Sequence, residues 1–278
     1  MSRVDVRKTY KLFINGDFPR SESGRSYPVQ GPDGEHLANA VRGSRKDIRD
    51  AVTAARKASS AWATITGYNR GQVLYRVAEI MESRRDELIG EVVRAEGKRG
   101  AAGQVDAAID TWVWYAGWTD KVAQVMGGIN PVAGPFFNIT SPEPIGVVGL
   151  IAPESPALLG LVERLAPALC AGNAVVAIAS EARPLVSITL AECLATSDVP
   201  PGVVNLITGL AWELVPAVAS HLAVDALDVT GVAPDAIAEV EVAAADNVKR
   251  IIRPGAQRSP YEVAAFMEMK TVWHPKGT

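Results

Sequence analysis

The sequence is poor in the residues that usually build redox, metal or nucleophilic centres. Its 278 residues include two cysteines and three histidines. Cys170 and Cys193 both fall in Ala/Leu-rich helical patterns, so they are expected to be small buried hydrophobes. Two such residues form no disulfide framework, which points to a reducing, cytoplasmic setting, and no metal site is expected. No run of about 18 apolar residues occurs, so no membrane span is expected. The longest candidate, Ile145 to Pro153, is short and broken by Gly146 and Gly149. The start, MSRVDVRKTYKLFING, lacks the apolar core of a signal peptide. A net charge of −3 gives no electrostatic case for nucleic acid or an anionic membrane. Neither G-x-G-x-x-G nor a P-loop follows any apolar run, so the standard nucleotide fingerprints are missing.

What remains is an ordinary globular composition, 48% hydrophobic and 21% charged. Leu12, Phe13 and Ile14 precede Asn15-Gly16, a hairpin signal, and a second turn lies at Gly31-Pro32-Asp33-Gly34. Two short antiparallel strand pairs are expected there. Residues 45–63 have helical periodicity through Ile48, Val52, Ala55 and Ser59, with Asp47 near the start, where a carboxylate suits the helix dipole. Further helices are expected over 69–95 and 104–125. Arg84, Arg85, Asp86 and Glu87 read as a solvated face, and Trp112, Trp114, Tyr115 and Trp118 as packing. Ile129 to Thr140 holds Pro131 and Pro135 and reads as an edge ribbon or connector.

From Ile145 onward, apolar runs alternate with helical patterns. Strands are expected at 145–153, 173–178, 202–207, 224–230 and 248–252, and helices at 157–169, 183–196, 212–220 and 235–245. The alternation predicts an α/β fold with a parallel sheet and helices on both faces, with ligands at the carboxyl ends of the strands.

Several segments carry a family resemblance in family order. They are Pro144-Ile145-Gly146-Val147-Val148-Gly149-Leu150-Ile151, Leu165-Ala166-Pro167-Ala168-Leu169-Cys170-Ala171-Gly172-Asn173, Pro200-Pro201-Gly202-Val203-Val204-Asn205 and Thr208-Gly209. Leu12 to Gly16, Trp62, Arg70 and Glu96-Gly97-Lys98 also fit. Together they resemble NAD(P)-dependent aldehyde dehydrogenases over essentially the whole chain. The resemblance implies a Rossmann-like cofactor-binding domain over 1–125 and 142–257. It also implies a small β oligomerisation arm over 126–141 and 258–278, with the catalytic domain absent.

The resemblance fails where the family's chemistry sits. That chemistry needs a cysteine nucleophile, a glutamate base, and an asparagine amide at the oxyanion. The family's Pro-Trp-Asn-Phe/Tyr-Pro loop reads Pro153-Glu154-Ser155-Pro156, without the asparagine. Its Leu-Glu-Leu-Gly-Gly-Lys-Ser-Pro segment aligns with Arg253 to Pro260, which puts Pro254 at the base position. The nucleophile's segment does not occur, and neither cysteine replaces it, so no catalytic residue is assigned. Glu154 paired with His221 or His274 is the remaining acid/base arrangement to consider, and both histidines read as ordinary loop or surface residues.

The resemblance implies only a residual cofactor set. The family's Lys-Pro-Ser-Glu is Ile178-Ala179-Ser180-Glu181 here, and its Phe-Thr-Gly-Ser is Val229-Thr230-Gly231-Val232. Ser180, Glu181, Thr230 and Gly231 are the expected cofactor-facing residues. Glu181 has an alternative role as a helix N-terminal acid. Trp212 is expected to take up space near the phosphates, and NAD(P) is expected to bind weakly if it binds.

The tail Tyr261 to Pro275 resembles the family's C-terminal strand. Phe136, Phe137, Met269, Thr271, Val272 and Trp273 are the implied oligomerisation residues. Two functional expectations follow from the resemblance. One is a non-catalytic subunit that pairs its arm with a full-length aldehyde dehydrogenase as a hetero-oligomer. The other is a nucleotide-binding relic of the same oxidoreductase family that acts as a homo-oligomer, its tail folded back on its own ribbon.

Overall fold

Ser44 and Asp47 set the first helix. The Ser44 hydroxyl accepts from the Asp47 N–H and the Asp47 carboxylate accepts from the Ser44 N–H, a reciprocal capping box. This is the start expected from Asp47. A computed structural model describes residues 8–255 and 258–277. The first seven residues, which belong to the segment read for a leader, lie outside the described residues, as do two residues of the Arg253–Pro260 segment and the last residue.

The elements run β1 (Ser26–Gln30), β2 (His36–Val41), α1 (Arg45–Thr64), α2 (Gly67–Ser83), α3 (Arg85–Glu96), α4 (Ala101–Ala116), α5 (Val122–Met126), β3 (Gly128–Asn130) and β4 (Phe136–Pro144). They continue as β5 (Val147–Ile151), α6 (Ala157–Cys170), β6 (Ala174–Ile178), α7 (Pro184–Ala195), β7 (Val204–Ile207), α8 (Ala211–Ala219) and β8 (Ala226–Asp228). The chain closes with α9 (Ile237–Ala245), β9 (Arg250–Ile252), α10 (Pro260–Ala265) and β10 (Met267–Pro275).

Five strands form a parallel sheet in the order β7-β6-β5-β8-β9. The fold is α/β, as expected, and β5 and β6 are buried along their whole length, as their unbroken apolar runs require. The chain moves outward from β5 through β6 to β7, then returns to the other side of β5 for β8 and β9. That reversal places a topological switch point between β5 and β8. Helices α2, α4, α6 and α7 share one apolar core with one face of the sheet. Helices α1, α8 and α9 cover the other face.

The early helical stretches are shorter than their periodicity predicts. Residues 69–95 form two helices that break at Arg84, whose backbone leaves the helical region. Arg84 is not simply solvated: its guanidinium joins Glu87 and Glu192 in ion pairs, so the break ties α3 to α7. The 104–125 stretch ends at Ala116 and resumes as α5. Trp112 and Tyr115 are fully buried, which bears out the packing role of this aromatic run. The Gly31–Gly34 hairpin forms as β1–β2. At Asn15-Gly16, among the described residues, the turn is closed by a single bridge, Ile14 to Asp17, with both turn residues at positive φ as a tight hairpin turn requires.

Polar family motifs act as stitches between layers. Asn173 is fully buried; its amide donates to the Ala168 and Phe266 carbonyls and its oxygen accepts from the Gly146 N–H. Asn205 donates to the Val175 and Gly202 carbonyls and accepts from the Asn15 N–H. The Arg70 guanidinium donates to the Cys170 carbonyl, and the Trp62 ring N–H to that of Leu169.

The ribbon and the tail meet. β4 pairs antiparallel with β10 over nine residues, from Pro144 with Met267 to Phe136 with Pro275, and β3 pairs with the other edge of β4. Strand alternation divides the six implied oligomerisation residues between two faces. Phe137 and Val272 lie on one face with Ile129 and Ile139. Phe136, Met269, Thr271 and Trp273 lie on the other, where Phe136 and Trp273 meet edge-on at 5.8 Å and Thr271 hydrogen-bonds Thr140. Most of these side chains are exposed on the isolated chain, Val272 at 60% and Trp273 at 58%.

Candidate functional site

The carboxyl ends of the parallel strands gather the expected cofactor residues. Ser180 and Glu181 follow β6, Thr230 and Gly231 follow β8, and β5 lies between those strands. The switch point is closed by backbone contact. The Gly231 N–H donates to the Ile151 carbonyl at 2.9 Å, and a Cβ at position 231 would stand 2.0 Å from the Ala152 oxygen. Only glycine permits that approach.

The donors along this edge are held by the chain's own acceptors. Glu154, in the loop after β5, turns toward the end of β6. Its carboxylate accepts from the Ser180 hydroxyl at 2.6 Å and from the N–H groups of Glu181 at 2.9 Å and Ala182 at 3.1 Å. Arg183 secures the loop by donating to the Glu154 carbonyl at 2.8 Å. The Glu181 carboxylate accepts from the Ala211 N–H, at the start of α8, at 2.6 Å. Glu181 is thus a helix N-terminal acid, but for α8 rather than for the α7 that follows it in sequence. The Thr230 N–H and hydroxyl both donate to Asp228. At the start of α6, Glu96 accepts from the Ala157 N–H at 2.6 Å and the Gln104 amide oxygen from the Leu158 N–H at 3.1 Å.

The β1–β2 hairpin leans over this edge. Arg25 and Arg42 hold Glu213 on the first turn of α8 at 2.9 Å each. The Tyr27 hydroxyl donates to the Glu181 carbonyl at 3.2 Å. Burial raises the Tyr27 phenol above its ordinary pKa, and the charges of Glu181 and Glu154 push the same way. For Glu213, burial alone would raise the carboxyl, but hydrogen bonds from Arg42 and Arg25 outweigh it and hold the group below its ordinary value. A groove of about 500 Å³ lies here, lined by Tyr27, Gln30, Glu154, Glu181 and Arg183 among others. Trp212, on the first turn of α8, is 70% exposed with Arg42 over its ring at 5.7 Å.

Glu154 and the two histidines are not brought together. His221 precedes β8, at the opposite end of the parallel sheet from Glu154, and accepts from the Ala223 N–H; His274 lies on β10. Both cysteines are buried, as their patterns predict. Burial pushes the Cys170 thiol up to about 12 and the Cys193 thiol up to about 11. Among the described residues no group of three or more His, Cys, Asp or Glu is placed to hold a metal ion, and no helix is long and apolar enough to cross a membrane.

Sequence reasoning met Glu154 in the asparagine's loop and as an acid/base partner for a histidine, and missed its role as an acceptor for the turn after β6. It missed the acceptor roles of Glu96, Gln104 and Asp228. The signal for these was weak, since each acceptor is remote in sequence from most of its donors or reaches them only through a turn.

The fold combines a switch-point crevice and a Thr-Gly turn packed on β5 at the carboxyl ends of the strands with an arm, joined at the amino end of β5, built from residues far apart in sequence. Comparison with known proteins then decides the family, because the aldehyde dehydrogenase family profile matches residues 18–271. The chain belongs to the aldehyde dehydrogenase family. It is 34% identical to cytosolic aldehyde dehydrogenase 1 of Elephantulus edwardii over 278 residues, covering 97% of this chain and 54% of that protein. It is 35% identical to retinal dehydrogenase 2 of Homo sapiens over 273 residues, covering 96% of this chain and 52% of that one. Among solved structures, HpcC from Thermus thermophilus superposes with a TM-score of 0.84 at 33% identity, over 88% of this chain and 48% of that chain. PnpE in complex with nicotinamide adenine dinucleotide superposes with a TM-score of 0.84 at 29% identity, over 88% and 50%. The chain spans about half the length of the relatives and solved structures it matches.

Proposed function

We propose that this chain is a non-catalytic aldehyde dehydrogenase-like subunit. It assembles through its β arm with a full-length NAD(P)-dependent aldehyde dehydrogenase in the cytoplasm, and the half of the family that it lacks is the catalytic domain. The observation that carries the reading is the arm: a three-stranded sheet whose terminal strand β10, among the described residues, is paired on one edge only and exposes Met269, Val272 and Trp273. An unpaired edge flanked by large apolar side chains is satisfied by strand addition to another chain. The buried high-pKa thiols and the proline at the base position support a subunit without its own turnover. On this reading Phe136, Phe137, Met269, Thr271, Val272 and Trp273 form the contact.

The test is an affinity pull-down of the tagged chain from native extract, with mass spectrometry of the bound material. Stoichiometric recovery of a full-length aldehyde dehydrogenase, lost in a Val272→Asp variant of unchanged thermal stability, is the expected result. Recovery of the chain alone sinks the reading, as does steady NADH production from an aldehyde by the pure chain. The second reading, a nucleotide-binding relic that forms homo-oligomers, is favoured by the groove beside Glu181 and opposed by the two carboxylates in its lining. It gains ground if the pull-down returns only this chain as an oligomer.

A further inference from the structure

We infer that Glu154 and Glu181 act as built-in ligands for the donors of the cleft where a relative would place a dinucleotide, so those donors are occupied from within rather than merely lost. A dinucleotide presents a doubly charged pyrophosphate, which needs free N–H donors and an absence of nearby negative charge. In this chain the donors at both candidate positions already bind carboxylates. The turn after β6 gives two N–H groups and the Ser180 hydroxyl to Glu154. The start of α8, a nine-residue helix, gives its Ala211 N–H to Glu181. These carboxylates complement the same N–H dipoles that a phosphate would. A phosphate arriving there would have to displace them and meet their charge.

Two further features hold the occupants in place. Arg183 pins the backbone of Glu154. The hairpin clamps the first turn of α8 through Arg25, Arg42 and Glu213, while Tyr27 holds the backbone of Glu181. The residual serine, threonine and glycine of the cofactor set are likewise committed: Ser180 to Glu154, Thr230 to Asp228, and Gly231 to the end of β5. The cleft is therefore ordered without a nucleotide, and its order is independent of cofactor supply. This inference does not require the partner proposed above, because it concerns the isolated chain alone.

The test is titration calorimetry of the 278-residue chain with NAD⁺ and, separately, with ADP, at low salt. It is run on the wild type, the Glu154→Ala/Glu181→Ala double variant and the corresponding double Gln variant. The wild type is expected to show no binding of either ligand tighter than about 1 mM. The Ala variant is expected to bind ADP at least about tenfold more tightly than the wild type, because donors are freed and two negative charges removed. The Gln variant keeps acceptors at both positions, so it guards against a folding failure of the Ala variant. Loss of charge alone is expected to improve its ADP binding, by less than in the Ala variant. Wild-type binding of NAD⁺ tighter than about 100 µM overturns the inference. So does a folded Ala variant that binds ADP no better than the wild type, or, if the Ala variant does not fold, a Gln variant that shows no gain. The pull-down result leaves these outcomes untouched, so failure here is distinct from failure of the partner reading.

Discussion

Replacing Arg164 with methionine tests whether the arm is anchored by a buried charge cluster. Arg164 projects from α6 and donates to Asp228 of β8 at 2.7 Å and to Glu262 of α10, with all three side chains almost fully buried. The Phe266 ring lies 5.5 Å from the guanidinium. Among the described residues Nη2 has no hydrogen-bond partner, so the cluster is imperfectly satisfied and its net value is modest compared with an apolar packing of the same volume. Removing only the cation is a different perturbation, because it strands two buried carboxylates. Breaking a buried pair in this way costs about 3–5 kcal/mol. Against a domain stability of about 5–15 kcal/mol this is a large loss, and at roughly 2–4 °C per kcal/mol it lowers Tm by about 6–20 °C. Glu262→Gln leaves the Arg164–Asp228 pair intact and is expected to cost less, about 1–3 kcal/mol. Urea unfolding followed by circular dichroism and tryptophan fluorescence gives both values and their coupling. Hydrogen exchange locates the effect: Glu262 sits five residues before the start of β10, so the Glu262→Gln variant should lose protection in β10 before β6. A cost below about 1 kcal/mol for Arg164→Met, or equal loss of protection in β10 and β6 for Glu262→Gln, refutes the idea that this cluster anchors the arm.

Other expectations are narrower. Asn173→Ala removes three hydrogen bonds at a fully buried position and is expected to cost about 2–4 kcal/mol; a loss under 1 kcal/mol in chemical denaturation counts against its role as a stitch. The cysteines should ignore a thiol reagent at pH 8 in the native chain and react fully in denaturant, and fast stoichiometric labelling of the native chain would contradict the burial that raises both thiols. Because the Glu213 carboxyl is held below its ordinary value of 4.5, its contribution is complete above that pH and is lost as the pH falls through the lowered folded value. A pH series of Tm should therefore drop more steeply below about pH 4.5 for the wild type than for Glu213→Gln, and superimposable curves would remove the clamp from the account.

The sheet was legible because buried parallel strands declare themselves as unbroken apolar runs. Val147 to Ile151 and Ala174 to Ile178 need no partner to be recognised. At the start of α1 Asp47 was legible as a carboxylate suited to the helix dipole, whereas its reciprocal capping with Ser44 emerges from the structure. The break at Arg84 was not, since the apolar period continues through it and only the distant Glu192 shows what that arginine does. The candidate site was half legible. Local wording placed Ser180, Glu181, Thr230 and Gly231 on one edge, but could not show which acceptors serve that edge. Glu96 reaches Ala157 across 61 residues and Glu181 reaches Ala211 across 30, pairings that no periodicity encodes.

The pairing of β4 with β10 also bears on the order in which the molecule is made. Thr140 and Thr271 face each other across the ribbon although 131 residues separate them. In an unfolded chain, closing such a loop is slow and entropically costly. The parallel sheet and helices α6 to α9 lie within that loop, so their prior folding brings the two ends within reach and replaces a long random search with a short one. During synthesis β4 emerges well before its partner and waits with a bare edge and two adjacent phenylalanines, Phe136 and Phe137. That interval is when the nascent chain is most open to mispairing or to capture by a chaperone.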